Sequence, residues 1–169
     1  MPDLSVPPMI VMGVTGSGKS TIGTLLAARL GLAFIDGDDL HPVANRQKMS
    51  AGIPLDDSDR APWLAEIGRV IAERLAEGSP IVVACSALKR RYRDALREQV
   101  PTLLFVHLQG RTDVIADRLG ERRNHFMPPG LLDSQIDALE PLEDDEAKIL
   151  ADVSLPPDAL VNSVLDRLR

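Results

Sequence analysis

The sequence predicts an α/β fold, a five-stranded parallel sheet with helices on both faces. Three observations lead there. Short apolar runs near 9–12, 32–35, 80–85, 103–108 and 147–153 alternate with longer stretches whose apolar residues recur at helical spacing. The first run, Met9-Ile10-Val11-Met12, passes straight into Gly13-x-x-x-x-Gly18-Lys19-Ser20, after which Ile22, Leu25, Leu26 and Leu30 mark one helix face, so the order is strand, glycine loop, helix. A chain of 169 residues has the length of one such domain and can bury about 70% of its unfolded surface. Residues 1–169 are therefore read as a single domain.

The glycine loop carries the first chemistry. Gly13, Gly16 and Gly18 let the backbone turn with its N–H groups inward, and Val14, Thr15 and Ser17 complete a concave anion site at the positive end of the following helix. A nucleoside triphosphate fits such a cradle. Lys19 is placed to reach the β and γ phosphates as a point charge, the Ser20 hydroxyl can ligate Mg²⁺, and Thr21 can contact the α-phosphate. This spacing arises by chance in roughly 1% of chains of this length, and the flanking strand and helix make chance a poorer explanation still.

Composition excludes several classes. A formal net charge of -6 leaves no basic stripe of the kind that displaces counterions from nucleic acid, and 3% aromatics leaves no stacking platform for bases. No apolar run approaches the ~18 residues of a membrane span, and MPDLSVPP lacks the basic and apolar regions of a signal peptide. Cys85 is the single cysteine, which rules out an internal disulfide and suits a reducing compartment, so a cytoplasmic protein is expected.

Taken in order, residues 1–8 read as a flexible lead. Gly31 ends the first helix, and the short buried strand at 32–35 runs into Asp36-Gly37-Asp38-Asp39-Leu40-His41-Pro42. Carboxylates just past a strand end of a parallel sheet lie where ligands bind. If the strand persists, Asp36 and Asp38 face the same side, one to hold a Mg²⁺ water and the other a substrate hydroxyl; the alternative is an acidic turn capping a helix. Residues 43–57 suggest a short helix and a loop, and Asp59 is expected to cap an amphipathic helix striped by Trp63, Leu64, Ile67, Val70, Ile71 and Leu75, with Pro62 in its first turn and Gly78 at its end.

The strand at 80–85 ends at Ser86, where many ATPases and GTPases carry an aspartate, which leaves Asp36 as the better Mg²⁺ candidate. Cys85 reads as a small buried strand residue. Lys89 and Arg93 sit four apart on the next helix, facing the site or solvent. After the strand at 103–108, Thr112 caps a helix at whose end Arg118, Arg122 and Arg123 cluster, either complementing the helix dipole or facing phosphates. Residues 124–130 cannot be regular structure and read as a lid, in which His125 is surface or a substrate contact. A helix at 131–139, an acidic turn at 141–146, a fifth strand at 147–153 and a closing helix at 159–168 complete the chain.

The segments MGVTGSGKST, FIDGDDLHP, NRQKMSAGIPLDDSDRAPWL, ACSALKRRYRDALR and HFMPPGLLDSQIDALEPLE together closely resemble bacterial and eukaryotic gluconokinases, over about 9–143. That resemblance implies transfer of the ATP γ-phosphate to the 6-hydroxyl of D-gluconate. It implies a P-loop fold like that of nucleoside-monophosphate and shikimate kinases, a substrate-binding helical insertion near 40–78 and a lid near 118–130. It puts Asp38 by the acceptor hydroxyl, Asp36 in the Mg²⁺ shell with the Ser20 already read from the glycine loop, and the lid arginines Arg118 and Arg122 on the transferring phosphoryl group. It also implies a homodimer. Beyond 143 the match is one of pattern, with Leu155-Pro156-Pro157 beside adenine.

An anionic polyol calls for a fixed cation and several hydrogen-bonding groups, for which His41, Lys48, Arg60, Lys89, Arg90 and His125 join Asp38 as candidates. Arg60 suits the carboxylate best, its planar fork matching a bidentate partner, unless it only pairs locally with Asp57 or Asp59. The rivals are a kinase of another hydroxylated acid such as shikimate, disfavoured by the LHP and CSALK segments, and a nucleotide-binding regulatory module. A guanine-reading Asn/Thr-Lys-x-Asp motif is absent from the sequence.

Overall fold

A computed structural model describes residues 6–110 and 131–168. Five parallel strands form one sheet in the order β2-β3-β1-β4-β5. They are β1 (Met9–Met12), β2 (Ala33–Asp36), β3 (Ile81–Ala84), β4 (Leu104–Gln109) and β5 (Lys148–Asp152). The helices are α1 (Lys19–Leu30), α2 (Val43–Ser50), α3 (Asp57–Ala76), α4 (Arg90–Gln99), α5 (Leu131–Ala138) and α6 (Pro157–Leu168), and a 3-10 turn covers Gly37–Leu40.

Strand periodicity divides the core. In β1 every residue is buried, but Met9 and Val11 point to one face with Leu26 of α1 and Val161 and Val164 of α6. Ile10 and Met12 point to the other, with Trp63, Ile67 and Ile71 of α3 and Leu96 of α4. An all-apolar run of this kind belongs in the middle of a doubly covered sheet, and β1 is indeed the third of the five strands, pairing with β3 and β4. Its carboxyl end therefore opens at the centre of the sheet, where the order reverses from β3 to β4 and ligands bind in such folds.

Several expectations need correction. The second strand starts one residue later than expected and is an edge strand with exposed or half-buried residues, because β3 covers only one of its sides. It stops at Asp36, so Asp36 and Asp38 do not share a strand face; the chain tightens into the 3-10 turn, capped by the Asp36 side chain accepting from the Asp38 N–H. Asp56, not Asp59, is the N-cap of α3: its carboxylate accepts from the Asp59 N–H at 2.8 Å while the Asp59 carboxylate accepts from the Asp56 N–H at 3.0 Å. Pro62 accordingly stands in the second turn of a helix that begins at Asp57, where it forgoes one intrahelical bond. In the lead, Pro8 is already tied to the sheet, its carbonyl accepting from the Leu104 N–H at 3.0 Å.

Candidate active site

The site is built from the carboxyl ends of β1, β2 and β3. Between β1 and α1 the loop keeps its shape because its three glycines take conformations that side chains resist. Gly13 has φ 155°, and a Cβ there would lie 2.6 Å from Ser17 Oγ and 2.9 Å from the Leu108 carbonyl. Gly16, at φ 78°, carries the loop through its turn, and Gly18, at φ 95°, is the N-cap of α1 and leads the chain into the helix. All three positions expected from the sequence to shape the loop therefore do so. Ser17 Oγ is buried without a hydrogen-bond partner among the described residues, a polar atom inside the loop that awaits one. Lys19 reaches back to the Val14 carbonyl at 3.2 Å. The Thr15 N–H donates to Gln135 Oε1 of α5 at 2.5 Å, which ties the segment after residue 130 to the phosphate loop. Thr21 is exposed in the first turn of α1.

Ser20 and Asp36 meet across the mouth of this loop, the hydroxyl donating to Asp36 Oδ2 at 3.0 Å. Asp38 stands next to them with its side chain 82% exposed. The surrounding walls of the crevice and the charge of Asp36 raise the Asp38 carboxyl above the usual carboxylate range, while Lys19 pulls the other way. Solvent screens much of this at so exposed a group. Hard oxygen ligands side by side, at the start of a helix that carries the lysine, suit Mg²⁺ held through one carboxylate and one hydroxyl with phosphate and water filling its shell. Among the described residues no group of three or more His, Cys, Asp or Glu side chains gathers for a metal.

The opposite wall comes from α2 and α3. Trp63 is buried and donates its Nε1–H to the Gly37 carbonyl at 2.7 Å, locking α3 to the aspartate turn. His41 stacks on Trp63, ring centroids 4.1 Å apart, with its Nε2 3.9 Å from Asp38 Oδ1. Lys48 is held by both oxygens of Asp59 at 2.9 Å. Arg60 donates to the Tyr92 hydroxyl at 3.2 Å and lies 3.9 Å from Asp57, a loose local pairing that leaves part of its fork open. Lys89 joins Arg60 and Arg91 around the Tyr92 ring, within 5.9 Å of its centre.

Two basic residues are used elsewhere. Arg90, expected among the substrate contacts, is held by Glu143 and by both oxygens of Asp145 at 2.8 and 2.7 Å. Arg93 faces neither the site nor solvent: it is fully buried and paired with Glu146 at 2.7 Å. Cys85 is buried as expected but lies one residue past the end of β3, and burial pushes its thiol up to about 12, so it stays inert. Arg118, Arg122, Arg123 and His125, and with them the lid at 118–130, lie outside the described residues. Sequence reasoning missed Asn45, Gln135 and Tyr92, three polar residues inside helices whose only signal is their presence in the segments that carry the family resemblance.

The family description "Shikimate kinase" matches residues 15–168. A gluconokinase of Gluconobacter oxydans (strain 621H) is 47% identical over 157 residues, covering 93% of this chain and 88% of that protein. A probable gluconokinase of Xenopus tropicalis is 43% identical, covering 92% of this chain and 90% of that one. The crystal structure of a gluconokinase from Sinorhizobium meliloti 1021 superposes with a TM-score of 0.86 at 48% identity, covering 96% of this chain and 91% of that chain. The likeness thus runs well past residue 143, where the motif resemblance stops being specific. With its strand order, its phosphate loop and its aspartate turn all in the same chain, this protein belongs to the gluconokinase family, within the wider group of P-loop kinases that includes the shikimate kinases.

Proposed function

We propose that the chain transfers the γ-phosphoryl group of ATP to the 6-hydroxyl of D-gluconate, giving 6-phosphogluconate and ADP. The observation that carries this reading is the continuity of Lys19, Ser20, Asp36, Asp38 and His41 around one crevice, in a chain whose relatives are named gluconokinases. In this reading residues 13–21 hold the triphosphate through backbone N–H groups and the α1 N-terminus. Lys19 neutralises charge on the β and γ oxygens as it develops. Ser20 and Asp36 hold Mg²⁺, which when bound would neutralise phosphate charge and orient the transferring group. Asp38 accepts the proton of the attacking hydroxyl, for which its exposure and raised affinity for protons suit it.

The insertion near 40–78 reads the sugar acid, Arg60 taking the carboxylate with Lys89 beside it, and His41 and Lys48 lining the rest. Lys48 is already paired to Asp59, which favours Arg60 for the direct contact. Arg118 and Arg122 of the lid near 118–130 close over the transferring phosphoryl group, with His125 on the substrate side. A homodimer in the cytoplasm completes the reading, on the family resemblance and the presence of Cys85 as the single cysteine; sedimentation velocity checks the assembly.

A coupled ADP-release assay with ATP and Mg²⁺ tests the whole, offering gluconate, shikimate and glucose in turn. Gluconate should be turned over and glucose rejected, because a site that buries a cation for a carboxylate leaves it unpaired with a neutral sugar. Preference for shikimate, or turnover of none of the three, would overturn the reading.

A further inference from the structure

Asn45 of α2 is 3% exposed and makes two hydrogen bonds from one atom. The Asp59 backbone carbonyl can only accept, so the Asn45 atom 2.9 Å from it is the amide nitrogen. The same nitrogen lies 3.2 Å from His41 Nδ1. An amide nitrogen has hydrogens for both partners and no lone pair to offer, so His41 Nδ1 must be the acceptor and the ring proton must sit on Nε2. The imidazolium form would set an N–H against an NH₂ group.

The rest of the surroundings work the same way. His41 is 8% exposed and held flat against Trp63, with 15° between the rings. Arg46 of α2 approaches from one side, donating to the His41 carbonyl at 3.2 Å, and Arg60 of α3 contributes a second positive charge. Burial first, then these two arginines, pull the His41 pKa below its ordinary value. The Asp59 carboxylate is occupied by Lys48, so Asp38 is the carboxylate that faces the ring, at 3.9 Å from Nε2. A cationic His41 would draw Asp38 into an ion pair and weaken it as a base, whereas a neutral one leaves the carboxylate free.

We propose that Asn45 is a positioning residue that locks His41 as a neutral Nε2–H donor, so that His41 and Asp38 together offer one donor and one acceptor to the hydroxylated substrate. The substrate half of this statement rests on the gluconate reading above; the locked tautomer does not.

Long-range ¹H–¹⁵N correlation spectra of the full chain without substrates test the lock directly, His41 being distinguished from His107 and His125 by the signals lost in His41→Gln. The parent protein should show one Nε2–H tautomer at pH 7 and a His41 titration below 6.5, its ordinary value. An Nδ1–H tautomer or an imidazolium at pH 7 overturns the proposal without any variant. Asn45→Ala should populate the Nδ1–H form, and Asn45→Asp, which places a carboxylate at Nδ1, should raise the His41 titration by about one unit or more. In steady-state kinetics Asn45→Ala should raise KM for gluconate at least about fivefold while KM for ATP stays within about twofold. Altered kinetics with an unaltered tautomer, or an altered tautomer with unaltered kinetics, would each sink the positioning role. A parent with the expected tautomer that fails to phosphorylate gluconate would remove the activity reading and leave the lock standing.

Discussion

The two aspartates that flank Gly37 differ in what touches them, and the difference predicts different failures. Asp36 accepts from the Ser20 hydroxyl and from the Asp38 N–H, so it is fixed in place and shared with the phosphate loop. Asp38 projects into the crevice opposite His41. Asp36→Asn should therefore be partly rescued by raising Mg²⁺ from about 1 to about 20 mM, since it weakens a ligand whose loss mass action can offset, whereas Asp38→Asn should keep ATP binding and lose transfer by about 10²-fold or more. Equal rescue of both by Mg²⁺ in the same titration would show that the roles are not divided. Arg60 adds a second residue-level test. Tyr92 and Asp57 orient its guanidinium without closing the fork, so Arg60→Lys should raise KM for gluconate about tenfold with KM for ATP nearly unchanged, because an ammonium cannot reproduce a bidentate pair. An unchanged gluconate KM would return Arg60 to a purely local pairing with Asp57.

Helix α3 matters at the scale of an element because its first turn serves both the fold and the site. Asp56 and Asp59 cap one another's backbone, Asp59 holds Lys48, and the Asp59 carbonyl accepts from Asn45. Asp56→Ala removes one half of the box and should lower Tm by about 2 to 4 °C in a domain of this size, together with a severalfold rise in KM for gluconate. A Tm loss with no change in gluconate KM would mean that the cap is only structural. This helix also shows what can be read from sequence. Its apolar stripe at Trp63, Leu64, Ile67 and Ile71 is legible because a 3.6-residue period is written locally, and so are the glycine loop, the five strands and the Asp36 region. The cap is harder to place, because Asp56, Asp57 and Asp59 are all good N-caps by type and only the chain's entry angle selects the one three residues before Asp59. Asn45, Gln135 and Tyr92 are invisible for another reason. Each is defined by a partner from another segment, Gln135 by Thr15 at a separation of 120 residues, and polar residues on helices are ordinarily solvated.

Across the whole molecule, Arg93 does what no local motif announces. From α4 its guanidinium donates to the Ala87 and Leu88 carbonyls after β3, to the Glu140 carbonyl after α5, and to both oxygens of Glu146 before β5. One side chain thus fastens the loop that leads to Lys89, the exit of α5 and the approach to the last strand. Burial alone would raise the Glu146 carboxyl, but hydrogen bonds from Arg93, from the Glu143 N–H and from Arg97 outweigh it and hold the group down at about 2, against an ordinary 4.5. A depressed carboxylate stabilises the fold above its unfolded pKa, and the contribution fades as pH falls from about 4.5 toward about 2. The displacement corresponds to about 3 kcal/mol at most, and screening through the partly exposed Arg97 reduces the expected effect to about 2 kcal/mol. Glu146→Gln leaves Arg93 buried without its counter-charge, so the variant should be clearly less stable at pH 7. His107, which burial and the charge of Arg93 lower to about 4, makes both proteins lose stability below pH 6.5, so the informative quantity is their difference. Urea unfolding should show the gap between parent and variant narrowing by about half between pH 7 and pH 3. A gap of constant size would mean that the Glu146 charge contributes nothing, and that Arg93 holds its three segments through their carbonyl groups alone.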